Sequence, residues 1–116
     1  MQGKRLDRVN QLIREEISLV LQRELKDPRL GFVTVTEVET ANDLRVAKVF
    51  VSVLGDESKW VSSFAALKSA RGFIRNWLRG HLDLRVTPEL DFRPDRSMAH
   101  AARIQELLKG LRVGDA

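Results

Sequence analysis

The sequence predicts an α+β sandwich over residues 1–116 as a single domain: a three-stranded sheet with helices on one face, plus a C-terminal helix. Three observations predict it. Two adjacent runs, FVTVTEVET (32–40) and LRVAKVFVSVL (44–54), alternate and are rich in Val and Thr, as strands are. Apolar stripes at spacings of three and four precede and follow them, as amphipathic helices do. A composition of 43% hydrophobic and 31% charged residues suits a folded chain with one core.

The first helix is expected from about Arg5 to Leu25, with Leu6, Val9, Ile13, Ile17 and Val20 on one face. Pro28 disfavours helical geometry at Asp27 and ends it. Lys4, Arg5 and Arg8 form a basic cluster at its start. Ala41-Asn42-Asp43 is a turn by residue type, which makes the two strand runs an antiparallel hairpin. On the second strand Ala47, Val49, Val51 and Val53 share one face and Val46, Lys48, Phe50 and Ser52 the other.

Asp56 or Ser58 then caps a helical stretch, SKWVSSFAALKSARGFIRNWLR. At about 100° per residue, Trp60, Val61, Phe64 and Leu67 share a face. A straight continuation brings Lys68, Arg71 and Arg75 onto that face, where unpaired cations are costly. The second half has its own apolar face of Phe73, Ile74, Trp77 and Leu78. Two helices joined at Ala70-Arg71-Gly72 resolve the conflict, and Gly72 is the residue expected to take the unusual backbone angles. Next, PELDFRP (88–94) is a short strand bracketed by prolines, expected at a sheet edge. Ser97 is expected to cap a last helix with Ala101, Ile104, Leu108 and Leu111 in one stripe.

The break has a functional consequence. Arg71, Arg75 and Arg79 stack on one side of a helix and, with Lys68, make a basic edge that suits the spaced phosphates of a nucleic acid. Solvated surface arginines would show the same spacing. Gly72 lets a backbone approach closely. Lys4, Arg5, Arg8, Arg45 and Lys48 complete the candidate RNA-binding set, and Phe50 beside Lys48 could stack a base or pack under a neighbouring element. A net charge of +4 points weakly the same way.

Other chemistries find little footing. With no cysteine, thiol catalysis, disulfides and cysteine-ligated zinc are excluded. The two histidines, His81 and His100, form no recognisable triad, and Glu15-Glu16 and Glu37/Glu39 are ordinary surface pairs. Neither a membrane span nor a signal peptide is visible. The expectation is therefore a non-enzymatic cytoplasmic monomer with no catalytic residue, metal, cofactor, membrane or small-molecule substrate.

The element order α-β-β-α-α-β is that of a type II KH domain, in which a GXXG loop between two helices clamps a nucleic-acid backbone. Ala70-Arg71-Gly72 stands where that loop would be. Four segments carry a closer likeness: 16–39 with KDPRLG, 43–56, 69–97 with the Ala-x-Gly break before FIR and the R-x-x-PEL-x-F run of Arg85 to Phe92, and RIQELL at 103–108. Together they resemble the ribosome-binding factor A family over almost the whole chain. The resemblance implies a KH-like fold whose GXXG loop is replaced by the break. It implies binding to free small ribosomal subunits, through 16S rRNA and neighbouring ribosomal proteins. It also implies support for late processing of the rRNA precursor, including its 5′ end, and for growth in the cold. The chain ends at Ala116 without the long polar extension of some members. The competing expectation is a KH-like protein-interaction adaptor that lost RNA binding with the loop.

Overall fold

The computed structural model describes residues 2–115. The elements follow the order α1 (Gln2–Arg23), β1 (Val33–Thr40), β2 (Val46–Val53), α2 (Glu57–Ser69), α3 (Arg71–His81), β3 (Glu89–Pro94) and α4 (Ser97–Asp115). The three strands form one sheet in the order β1-β2-β3, antiparallel between β1 and β2 and parallel between β2 and β3. The parallel pair needs a long crossover, which α2 and α3 supply. This is an α+β, KH-like architecture.

The core lies between one sheet face and α1, α2 and α3. Ile13, Ile17 and Val20 of α1 meet Val35 and Val38 of β1, and Ala47, Val49, Val51 and Val53 line the central strand. Strict alternation along β1 would turn Glu37 inward with Val33 and Val35. A bulge between Val35 and Glu37 prevents this, so Val35, Val38 and Thr40 all face the core. The hairpin turn leaves Leu44 at φ 64°, a left-handed conformation uncommon for leucine.

Several boundaries differ from expectation. The first helix stops at Arg23, well before Pro28, because the N–H of Glu24 and of Leu25 both turn back onto the Val20 carbonyl and Leu25 folds in against the core. Asp27 then accepts the backbone N–H and the guanidinium of Arg29, and this pairing holds its carboxyl below the usual range. Asp56 does cap α2, accepting from the Lys59 N–H at 3.2 Å.

The buried face of α2 is Trp60, Ser63, Ala66 and Leu67; Val61 is exposed and Phe64 only partly buried. Small side chains set this face by letting the helix lie close to its neighbours. Ser63 is fully buried and accepts the Gly31 N–H at 3.0 Å. On α3, Ile74 and Leu78 are buried, Trp77 is partly buried and Phe73 is half exposed. The two-helix reading holds, but Gly72 is not the break. Ala70 makes it, at φ −90° and ψ 0°, between two helical hydrogen-bond ladders. Gly72 is an ordinary helical residue; among the described residues the positive-φ glycine is Gly55, at 132°.

The last helix departs most. Its apolar stripe does not reach the core: Ile104, Leu107, Leu108 and Leu111 are 54–65% exposed. The body already covers its sheet face with three helices, and α4 leaves from the far end of the edge strand. The resulting radius of gyration is 16.9 Å, against about 13 Å for a compact chain of similar length. Only the base of α4 is fixed. Asp95 accepts Thr36 Oγ1 at 2.6 Å and the backbone N–H of Ser97 at 3.0 Å, and the His100 N–H bonds to the Arg96 carbonyl, so Ser97 is the first helical residue rather than the cap and Asp95 braces the entry to the helix. The bonds from Thr36 and Ser97 hold the Asp95 carboxyl below its ordinary range, Thr36 contributing most. Arg96 makes two bonds to Glu57 and lies 4.2 Å over the Trp60 ring.

Candidate nucleic-acid interface

The break at Ala70 opens the N-terminus of α3. The Ala70 N–H still bonds back to Ala66 and Leu67, and the Ile74 N–H bonds to the Ala70 carbonyl as the first ladder bond of α3. The amides of Arg71, Gly72 and Phe73 form the first turn of α3, where a helix has no acceptor of its own to offer, and no side chain caps them. Free amides and the positive end of a helix dipole together suit an anion. Gly72 adds no bulk there: a methyl group at its Cα would meet nothing within 4 Å.

Beside these amides, Arg71, Gly72 and Arg75 line a cleft of about 260 Å3 together with Glu89 and Leu90 of β3. Arg71 is exposed. Arg75 is not the free surface cation that its spacing suggests. Its Nε and Nη2 both donate to the Thr87 carbonyl, at 3.3 and 2.9 Å, which ties α3 to the loop before β3. Glu89 is a carboxylate that sequence spacing did not place here; it reaches the cleft because β3 starts beside α3, its N–H bonded to the Arg45 carbonyl at 2.8 Å. One carboxylate offsets part of the charge of the two guanidiniums.

The remaining candidates are spread more widely. Lys68 and Arg79 are exposed in the last turns of α2 and α3, Arg79 bonded to Asn76. Lys48 is exposed on the outer sheet face beside half-buried Phe50, and Arg45 sits 3.9 Å from Asp43. Lys4, Arg5 and Arg8 are exposed on the first turns of α1, where Arg5 lines a second cavity with Arg85. The structure thus brings Arg71, Gly72 and Arg75 to one cleft and leaves the others as separate surface charges. Both tryptophans serve the body. Trp60 is buried and stacks with Phe64; Trp77 donates to Glu16 at 3.0 Å and stacks on His81.

Comparison with known proteins agrees with this architecture. The family described as Ribosome-binding factor A matches residues 5–108. The ribosome-binding factor A of Halothermothrix orenii is 49% identical over 94% of this chain and 89% of its own length. The solution structure of a Thermotoga maritima protein described as a putative ribosome binding factor A superposes with a TM-score of 0.72. It is 36% identical and covers 80% of this chain and 89% of its own. A homology model of the Thermus thermophilus ribosome binding factor A, as fitted into a cryo-EM map of a 30S complex, gives 0.62 at 28% identity, covering 74% of this chain and 90% of its own. The chain belongs to the ribosome-binding factor A family.

Proposed function

We propose that this protein is an assembly factor that binds free small ribosomal subunits through 16S rRNA and neighbouring ribosomal proteins. In this reading it supports late processing of the rRNA precursor, including the 5′ end, and growth in the cold. It acts as one KH-like monomeric unit in the cytoplasm, by binding and without turnover or cofactor. The observation that carries the reading is the uncapped N-terminus of α3 opening onto the Arg71–Arg75 cleft. A phosphate there would meet free amides and the Arg71 guanidinium, a clamp built without a GXXG loop. The likeness to a chain fitted into a 30S complex supports the same partner. No described helix is long and apolar enough to cross a membrane.

The test is association of the purified protein with free small subunits across a salt series. Binding should fall steeply, each phosphate contact adding roughly 0.7 to 0.9 to the log–log slope. Arg71→Glu should weaken it and leave melting within about 0.5 kcal/mol, because the side chain is exposed. Arg75 is unsuitable as the first target, since reversing its charge also releases Thr87. Accumulation of 5′-unprocessed precursor on depletion checks the processing role. A second reading, an adaptor that binds only protein, is favoured by the bare apolar row on α4. It predicts association that is flat with salt and indifferent to Arg71→Glu.

A further inference from the structure

A second cavity, of about 250 Å3, lies between the start of α1, the hairpin turn and the loop from α3 to β3. That is below the usual range for drug-sized ligands and suits a group no larger than a single base. Its walls divide by chemistry. Leu6, Val9, Leu44 and Leu84, all half-buried, supply apolar surface, while Arg5, Asn42, Asp83 and Arg85 supply polar groups. Among the described side chains Arg29, Arg45, Arg93 and Arg96 pair with a carboxylate, and the other arginines do not. Arg5, Asp83 and Arg85 form no such pair among the described residues, although all three line one cavity. Leu44, the one described non-glycine residue with positive φ, also contributes to the wall. The cavity therefore sets an apolar wall beside one carboxylate and two guanidiniums that no ion pair among the described residues occupies.

Resting on the RNA-binding reading above, we propose that this cavity takes an unpaired guanosine of the bound RNA strand. Guanine matches the walls on both edges. Its N1–H and N2–H donors suit the Asp83 carboxylate, and its O6 and N7 acceptors suit an arginine fork. The second guanidinium is left for the adjoining phosphate, and the leucine and valine walls take the ring faces. Adenine lacks the N1–H and turns an amino group toward the arginine. Uracil and cytosine offer one donor group where guanine offers two.

The experiment compares two pentaribonucleotides, UUGUU and UUAUU, by fluorescence anisotropy with the full chain. Methyl NMR of Leu44 and Leu84 is recorded alongside. The guanosine strand should bind roughly tenfold more tightly, within the range for one well-read base, and shift both methyls. Asp83→Asn should erase that preference, bringing UUGUU to the affinity of UUAUU, and should keep the salt slope of small-subunit association, because Asp83 lies outside the α3 cleft that carries the phosphate contacts. Equal affinity for the two strands, with subunit association intact, overturns the base pocket and spares the broader reading. Methyl shifts produced equally by 5′-GMP and inorganic phosphate reduce the site to an anion contact and also overturn it. A preference for 5′-GMP over 5′-AMP without binding of either strand would make it a free-nucleotide site, refuting the RNA source.

Discussion

Helices α1 and α4 carry the same kind of apolar stripe and meet opposite fates. On α1, Ile13, Ile17 and Val20 are completely buried against the sheet; on α4, Ile104, Leu108 and Leu111 are more than half exposed. Periodicity names the face of a helix that wants cover, but not whether cover exists. The sheet has one face for helices to fill, and α1, α2 and α3 fill it before α4 begins. A helix leaving the end of the edge strand finds that sheet face already covered. It also flanks a broad groove of about 980 Å3 with exposed Phe32 and Leu54, so the molecule is well packed at one end and open at the other.

The sharpest way to break this contrast is to truncate one leucine-sized side chain in each helix. Ile17→Ala should cost about 2–5 kcal/mol, from lost burial and the cavity left behind. Leu108→Ala should change stability by less than about 0.5 kcal/mol. Urea denaturation of the two variants measures both. A large loss in Leu108→Ala would mean that α4 packs on the body in solution.

The same contrast explains what the sequence could reveal. The hairpin, the inward row Ala47, Val49, Val51 and Val53, a cap at Asp56 or Ser58 and the proline-bracketed edge strand were all legible, because each depends on local spacing or turn chemistry; the structure gives the cap to Asp56. The β1 bulge was not: it falls at Thr36, whose hydroxyl bonds to Phe50 and Asp95, partners far away in the sequence. At the candidate interface, helical spacing correctly joined Arg71 to Arg75 but could not see Thr87, twelve residues away, occupying Arg75. Nor could it see Glu89 enter the cleft, since that depends on how β3 docks. Arg85 stood within a recognised motif, yet the role proposed for it depends on a cavity that three distant segments build.

A smaller effect is expected where the two regions join. Arg96 anchors the base of α4 through Glu57 and the Trp60 ring. Both charged side chains are partly open to solvent, so the pair contributes at most about 1 kcal/mol, with a similar amount from the ring contact. Arg96→Ala should therefore cost about 1 kcal/mol and speed amide exchange at the start of α4. Exchange in the β1–β2 hairpin should slow or quicken only in step with global stability. Unchanged exchange at the start of α4 would assign the anchor to Asp95 and Thr36 alone.

The smallest effect carries the most information, because its sign separates two accounts of the α2–α3 break. If Gly72 made the break, alanine would strain the chain and lower the melting temperature. The backbone places the break at Ala70 instead and leaves Gly72 helical, with open space around a future methyl group. Alanine is favoured over glycine in such a position because the unfolded chain loses freedom and the helix gains propensity, by roughly 0.4–1 kcal/mol. The gain should fall at the low end, since Gly72 lies in the first turn where the helix is least developed. Gly72→Ala should thus melt a few degrees higher, by calorimetry. The same methyl group would stand at the mouth of the Arg71–Arg75 cleft, beside the uncapped amides, and hinder a phosphate from reaching them. Stability should rise while small-subunit affinity falls. A lower melting temperature would return the break to Gly72, and a higher one with unchanged affinity would move the phosphate contact away from the end of α3.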